Sequence, residues 1–200
     1  LFNSQKYKEL KYKKKDKEKL SIFKNNYEKE IILIRKKIEN QKSLNFLHSG
    51  HAADIINILP VLKKLSQDHE CNLYLNINKP IEFYFRHPAG KYYMNNKIFD
   101  MLLPLLKRQN YLNKIEKFVD QQVDINLDIF RELPISNVFD NVTYASMVTG
   151  VYPNYSDSFL EAEEHKEVKK KIVIQRTFRY RNNLISYDFL NNFKDLVFVG

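Results

Sequence analysis

The sequence predicts an α/β fold with a Rossmann-like parallel sheet, preceded by a helical arm. Five apolar runs have the length of buried strands, at 44–47, 73–77, 125–127, 172–174 and 196–199. Helical patterns separate or precede them, at 55–65, 101–119, 138–149 and 185–193. Strands that alternate with helices are typical of parallel sheets joined by crossover connections.

The first 42 residues form a basic arm. They carry 14 Lys and Arg against 6 Asp and Glu, whereas the rest of the chain carries 19 against 18. Between Leu20 and Ile38 the apolar residues recur at steps of three and four, which predicts one apolar stripe along a helix. We expect this helix to pack on the following domain or to form a short coiled coil. Peripheral contact with an anionic membrane surface is the alternative, weakened by Glu28 and Glu30, and the lack of a docking motif disfavours nucleic acid.

Composition divides the chain into four parts. Residues 1–42 are the arm, residues 43–150 a first Rossmann-like domain, residues 151–170 a charged linker, and residues 171–200 the start of a second Rossmann-like domain. Because the chain begins at Leu1 and ends on an apolar run followed by glycine, we expect it to be a fragment of a longer protein.

Composition also disfavours several classes of protein. The chain has four glycines and neither a Gly-x-Gly-x-x-Gly motif nor a Walker loop, which disfavours dinucleotide dehydrogenases and P-loop enzymes. No apolar stretch reaches the ~20 residues that cross a bilayer, and no signal peptide is visible. The one cysteine, Cys71, begins an apolar run, so we expect a buried structural thiol. These features predict a cytoplasmic protein.

The segment from His48 to Pro60 is the most informative in the chain. It joins a predicted strand to a predicted helix through a turn of small residues, at the sheet edge where open α/β proteins place their chemistry. Asp54 has two interpretations there. As an N-cap it would hold backbone N–H groups. As a general base it would accept a proton from a hydroxyl while the helix N-terminus keeps it ionised.

Two histidines, His48 and His51, flank Gly50 in the same turn. Their spacing is compatible with metal binding, but no second carboxylate or cysteine lies near them in the sequence to complete a site. We therefore expect no metal here, and we expect these residues to form local hydrogen bonds or to contact a substrate. Pro60 indicates either a kink in the helix or a regular helix that starts near Ile58.

Two later segments carry charged residues. Three arginines and Thr177 fall within residues 176–182, directly after a predicted strand. This loop is either an exposed basic loop or an anion site, because arginine forks, a hydroxyl and backbone N–H groups suit a diphosphate. The segment 124–128 alternates as a half-buried strand does, so we expect Asp124 and Asp128 to face solvent.

Together these segments resemble the lipopolysaccharide heptosyltransferase group, glycosyltransferase family nine and its relatives, which have the GT-B fold. The N-terminal domain of that family opens with a strand, a Gly-Asp turn, apolar residues and Leu-Pro. Residues 53–60 match this motif, with Asp54 at the catalytic-base position and Ala53 where Gly is usual. Residues 171–177 and 197–200 resemble the first two strands of the C-terminal domain. The resemblance covers residues 44–200 loosely and leaves the arm outside.

The resemblance implies a function. It implies sugar transfer from a nucleotide-activated donor to a hydroxyl of a glycan or lipid-linked acceptor, without a metal or other cofactor. Asp54 would be the catalytic base, and His48, Gly50 and His51 would contact the substrate. Thr177, with Arg179 and Arg181, would bind the donor diphosphate. The alternative is an inactive GT-B-like scaffold that serves as a binding or assembly module, with the arm making the contact.

Overall fold

The computed structural model describes residues 4–81, 90–134, 139–164, 166, 168–169, 171–175 and 184–199. Contacts within the chain divide it into two compact units, residues 1–161 and residues 162–200. The first unit contains the arm, a four-stranded sheet and its helices. The second contains a pair of parallel strands.

The arm consists of two consecutive helices, α1 (Ser4–Asn26) and α2 (Glu28–Asn40). They are separated at Tyr27, whose N–H still donates to the carbonyl of Phe23 at 2.8 Å. Ile31 and Ile34 of α2 are buried in the core of the first unit. The second half of the arm therefore packs on the domain that follows it, as its apolar stripe predicts.

A parallel sheet forms the centre of the first unit. Its strands lie in the order β3-β2-β1-β4 and are β1 (Ser43–His48), β2 (Glu70–Leu75), β3 (Leu112–Lys117) and β4 (Ile125–Asn126). The helices that accompany them are α3 (Ala52–Leu65), α4 (Asn96–Lys107), α5 (Asn141–Thr149) and a 3₁₀ helix that follows β4 (Leu127–Glu132). The predicted α/β class with a parallel sheet is confirmed, and this arrangement is compatible with a Rossmann-like fold.

The strand order creates a topological switch point between β1 and β4. Strands β2 and β3 lie on one side of β1 and β4 lies on the other, with Phe46 paired to Leu73 and to Ile125. The chain segments that leave β1 and β4 diverge at such a point. In open α/β sheets they leave a crevice at the carboxyl ends of the two strands, and ligands bind there.

Helix α3 covers the sheet with a continuous apolar face. A stripe of buried residues at steps of three and four consists of Ile55, Ile58, Leu62 and Leu65, and the helix is also buried at Leu59, Pro60 and Val61. Pro60 lies within the helix, which begins at Ala52 and not near Ile58. The missing N–H of proline removes one backbone hydrogen bond at this point, and burial of the surrounding side chains offsets that loss.

One predicted helix, 101–119, is wrong because it spans two elements. Helix α4 ends at Lys107, and β3 follows at Leu112. In the sequence, the apolar residues of α4 and those of β3 together produce one continuous helical pattern. β3 is an edge strand whose residues are mostly polar and half of them exposed, so it lacks the apolar run that marks an interior strand.

The second unit contains the two strands predicted near the end of the chain. Strand β5 (Ile172–Gln175) and strand β6 (Leu196–Val199) pair in parallel, with Ile172 opposite Leu196. The segment between them forms a 3₁₀ helix at Asp188–Asn192, where the sequence predicts a regular helix over 185–193. A 3₁₀ helix of this kind is a short connector and supplies little packing surface.

Candidate functional site at the topological switch point

The turn from β1 to α3 brings His48, Gly50, His51 and Asp54 together. His51 is the N-cap of α3, and Asp54 is the third residue of the helix. The backbone N–H of His51 donates to Oδ2 of Asp54 at 2.9 Å. This corrects the N-cap interpretation of Asp54, whose carboxylate instead reaches back to the cap residue from inside the first turn.

The second oxygen of Asp54 is held from another helix. Asn141, the first residue of α5, donates its side-chain amide to Oδ1 of Asp54 at 2.7 Å. Asp140 caps that helix by accepting the N–H of Thr143, so the start of α5 is fixed beside α3. Asp54 itself is half-buried. The carboxylate is thus oriented by two donors and retains access to solvent.

Gly50 is required by the close packing of this turn. A Cβ at position 50 would lie 2.4 Å from Cε1 of His48 and 2.5 Å from Cβ of Asp54. Real Cβ atoms do not approach other atoms so closely. The absent side chain of Gly50 therefore lets His48 and Asp54 pack against the same stretch of backbone.

The two histidines carry their protons on different nitrogens. Nδ1 of His48 accepts the N–H of Gly50 at 2.8 Å, which places the proton of its neutral ring on Nε2. Nδ1 of His51 lies 2.7 Å from the carbonyl oxygen of Tyr93, which can only accept, so this nitrogen is the donor. The backbone therefore fixes a different tautomer for each ring.

A buried ion cluster surrounds Asp128 beside this turn. Ser49 donates its backbone N–H to Oδ1 of Asp128 at 2.9 Å and its hydroxyl to Oδ2. Lys79 donates to Oδ2 at 2.8 Å, and Arg131 donates to Oδ1 at 2.6 Å. Asp128 is only 9% exposed. We call Asp128, Lys79, Arg131, Ser49 and His48 the Asp128 cluster.

The position of Asp128 corrects the expectation that this carboxylate faces solvent. β4 ends after Asn126, whose side chain accepts the N–H of Asp128 and starts a 3₁₀ helix. This local cap turns Asp128 toward the end of β1. Asp124 is buried as well: it accepts the N–H of Asn45 and lies 3.5 Å from Nζ of Lys37. A strand extending through residue 128 would have left both groups on an open face.

The cluster sets the ionisation of its buried members. Burial lowers the pKa of His48 to about 4, and attraction to Asp128 offsets only part of this effect. Burial by itself would raise the pKa of Asp128, but His48, Arg131, Lys79 and Ser49 together hold it well below its usual range. At neutral pH the cluster therefore holds an ionised carboxylate and a neutral imidazole.

Arg131 is held by aromatic rings as well as by charge. Its guanidinium carbon lies 4.4 Å from the ring centre of Phe130 and 4.7 Å from that of Tyr93. Its Nη1 bonds Asp128, whereas its Nη2 is buried and has no hydrogen-bond acceptor among the described residues. A buried donor without an acceptor costs roughly 1–3 kcal/mol, so this side chain is incompletely satisfied.

The remaining predicted residues divide into two groups. Thr177, Arg179 and Arg181 lie outside the described residues, so the predicted diphosphate site stays a prediction. Cys71 is buried as predicted, and burial raises the pKa of its thiol to about 12. In the described part of the chain, no three His, Cys, Asp or Glu side chains are grouped as metal ligands.

The sequence alone does not identify four residues of the site, which are Lys79, Asp128, Arg131 and Asn141. One signal was available for Asp128, because a carboxylate directly after a strand lies at the same sheet edge as the turn after β1. Lys79 and Asn141 reach the site from loops and helices distant in sequence. Nothing in their own surroundings in the sequence marks them.

Comparisons of the chain with known proteins found no match. No protein-family model matches it, and no match is found among curated proteins or solved structures. Over the part of the chain that the structure describes, no helix is both long enough and apolar enough to cross a membrane. The geometry around Asp54 and the motif at residues 53–60 are the features of this chain that indicate a function.

Proposed function

We propose that this chain belongs to a GT-B glycosyltransferase and that Asp54 is its general base. The observation that carries the proposal is the position of Asp54, a half-buried carboxylate at the switch point of a parallel sheet. It lies in a strand–turn–helix segment that continues to Leu59 and Pro60, the order found in the family that residues 53–60 resemble. Ligands of open α/β sheets bind at this edge.

The reaction joins an acceptor hydroxyl to the sugar of a nucleotide-activated donor. Asp54 removes the hydroxyl proton while the oxygen attacks the anomeric carbon, and the bond from that carbon to the diphosphate breaks. Hydrogen bonds from His51 and Asn141 orient the carboxylate toward one direction of attack. Thr177, Arg179 and Arg181 would stabilise the charge on the departing diphosphate.

The proposed partners are a nucleotide-sugar donor and a glycan or lipid-linked acceptor. We place the protein in the cytoplasm, with α1 making peripheral contact with anionic lipid through its lysines. A lysine-rich helix is attracted to such a surface by about 1 kcal/mol per basic residue near the membrane. Co-sedimentation with anionic vesicles that declines as salt is added would support this contact, and salt-independent sedimentation would contradict it.

A second candidate function is an inactive scaffold that binds a partner. It is favoured by one observation: both oxygens of Asp54 already accept hydrogen bonds within the protein. A carboxylate used only to secure the start of α3 would look the same. The two functions differ in what removal of the carboxylate charge does to turnover.

The test is sugar transfer and nucleotide-sugar hydrolysis by the full-length protein, measured against a panel of donors. We expect Asp54→Asn to lower kcat about 10²–10⁴-fold, the usual contribution of a general base. Asn95→Ala is the matched control, because Asn95 caps α4 by accepting the N–H of Ile98 and lies in a different helix. It should cost about 1 kcal/mol of stability and leave turnover unchanged. No turnover by the wild type with any donor would favour the scaffold.

A further inference from the structure

The Asp128 cluster contains more cationic donors than its carboxylate uses. Asp128 engages Nη1 of Arg131 through one oxygen and Nζ of Lys79 through the other. Nη2 of Arg131 is left without an acceptor among the described residues. Arginine binds oxyanions most strongly when both nitrogens of its guanidinium fork donate. Among the described residues, only one of the two nitrogens of Arg131 does so.

The cluster is open on one side. The side chain of Lys79 is 35% exposed and that of Arg131 is 18% exposed, whereas His48 and Ser49 are 1% exposed. Within the cluster, Lys79 and to a smaller extent Arg131 are therefore accessible from solvent. His48 stays neutral near pH 7 and adds no charge, while Asp54, the other nearby carboxylate, is held by His51 and Asn141.

The location of these cations matches a place where ligands bind. Asp128 and Arg131 follow β4, and Ser49 follows β1, so the cluster lies at the carboxyl ends of the two strands that form the switch point. The rings of Phe130 and Tyr93 hold the guanidinium of Arg131 at this edge. A charged group fixed in this way is ordered before a ligand arrives.

We propose that Lys79 and Arg131 form a binding site for a compact oxyanion, the phosphate monoester or carboxylate group of a ligand. One ligand oxygen accepts from Nζ of Lys79. A small rotation of the guanidinium brings Nη2 to a second oxygen and satisfies the donor that is idle without ligand. The site does not depend on glycosyl transfer, since an enzyme and a binding module would use it equally.

The experiment is calorimetric titration of the full chain with inorganic phosphate and with acetate at constant ionic strength. We expect saturable binding of one or both anions, weakened at least about tenfold in Lys79→Gln and in Arg131→Gln because each loses a charge-assisted hydrogen bond. Arg131→Lys keeps the charge and loses the fork, so it should also weaken binding. Circular dichroism and thermal melts confirm that each variant is folded.

Lys107→Gln is the matched control. Lys107 is exposed at the end of α4, which leads into the amino end of β3 at the opposite edge of the sheet. The basic helix α1 attracts anions without specificity, and because it is unchanged in every variant its contribution cancels. No saturable binding by the wild type, or binding equally strong in Lys79→Gln, Arg131→Gln and Lys107→Gln, would overturn the proposal.

The source of the oxyanion is resolved by two further ligands. A sugar phosphate tests a soluble source, and phosphatidylcholine vesicles containing phosphatidic acid test a lipid headgroup. If either ligand binds more tightly than inorganic phosphate, and this binding is lost in Arg131→Gln and kept in Lys107→Gln, the result supports the site. The ligand that binds more tightly then identifies the source of the oxyanion. Binding of either that is insensitive to Arg131→Gln counts against the site.

Discussion

At the scale of single residues, the turn after β1 is organised by Gly50. Atoms of His48 and of Asp54 lie within 3 Å of the position that a Cβ of Gly50 would take, so neither leaves space for a methyl group. His48 fixes the turn by accepting the N–H of Gly50. The same few atoms therefore set the ring orientation of one candidate site residue and the position of another.

The first prediction concerns Gly50→Ala. The added Cβ would force His48 and Asp54 apart, and the resulting strain should lower the free energy of unfolding by about 1–3 kcal/mol. Urea denaturation measures this change. Ala53→Ser is the control, since it enlarges an exposed side chain in the same segment and should change stability by less than about 0.5 kcal/mol. An alanine variant as stable as the wild type would contradict the packing described at Gly50.

The second prediction concerns acid sensitivity. The pKa of His48 is about 4 in the folded chain and 6.5 in the unfolded reference, so the unfolded state takes up a proton first as the pH falls. The contribution of His48 to the free energy of unfolding is therefore fully present above about pH 6.5 and declines as the pH falls toward 4. Urea denaturation should show a loss of about 2 kcal/mol between about pH 7.5 and pH 5.

His48→Gln isolates this effect. Glutamine can accept the N–H of Gly50 through its side-chain oxygen but does not titrate. The difference in unfolding free energy between pH 7.5 and pH 5 should therefore be smaller by about 2 kcal/mol in this variant. Asp128 stabilises the fold throughout this pH range because its pKa is depressed, and its contribution is lost only as the pH falls below the usual range of a carboxyl. An unchanged pH dependence in His48→Gln would show that the buried imidazole is not its source.

At the scale of elements, the short strand β4 and its 3₁₀ helix determine what faces the turn after β1. β4 pairs with β1 through two residues, and Asn126 then caps the helix that carries Asp128 and Arg131. Ser49 joins the two loops by donating to Asp128. Hydrogen bonds at the switch point thus connect two elements that are about 80 residues apart in the chain.

The third prediction concerns this connection. Asp128→Ala leaves the guanidinium of Arg131 and the N–H of Ser49 without their shared acceptor in a buried position. Loss of one partner of a buried ion pair typically costs about 3–5 kcal/mol. Since 1 kcal/mol shifts the melting temperature of a unit of this size by roughly 2–4 °C, we expect a decrease of about 6–20 °C. Asp100→Ala is the control, because Asp100 is exposed and its ion pair among the described residues is with Lys117 alone, at 3.4 Å. Equal effects of both substitutions would contradict the central position of Asp128.

The elements also show how far the sequence could be interpreted. β1, α3 and β2 have apolar runs and periodicity strong enough to be recognised, and they were predicted close to their observed bounds. β3 is not recognised in the sequence because a polar edge strand lacks the apolar run that would distinguish it from the helix before it. Asn141 was missed because its contact with Asp54 is made through tertiary packing of α5 on α3, which no local pattern records.

At the scale of the whole molecule, the two units differ in what they contribute to the proposed function. The first contains a four-stranded parallel sheet with a switch point, and Asp54 and the Asp128 cluster lie at its carboxyl edge. The second contains the pair β5 and β6, which precede and follow the segment proposed to bind a diphosphate. Alternating patterns along the chain predict the α/β class, whereas the proposal of sugar transfer is based on the motif around Asp54.

The measurement that tests the central claim most directly is the turnover of Asp54→Asn beside its unfolding free energy. A general base predicts that sugar transfer declines at least about 100-fold while stability changes by less than about 1 kcal/mol. It also predicts that Asn95→Ala, which loses a helix cap, is less stable but fully active. An Asp54→Asn protein that transfers sugar at the wild-type rate, or that loses only stability, would contradict the assignment of Asp54 as the catalytic base.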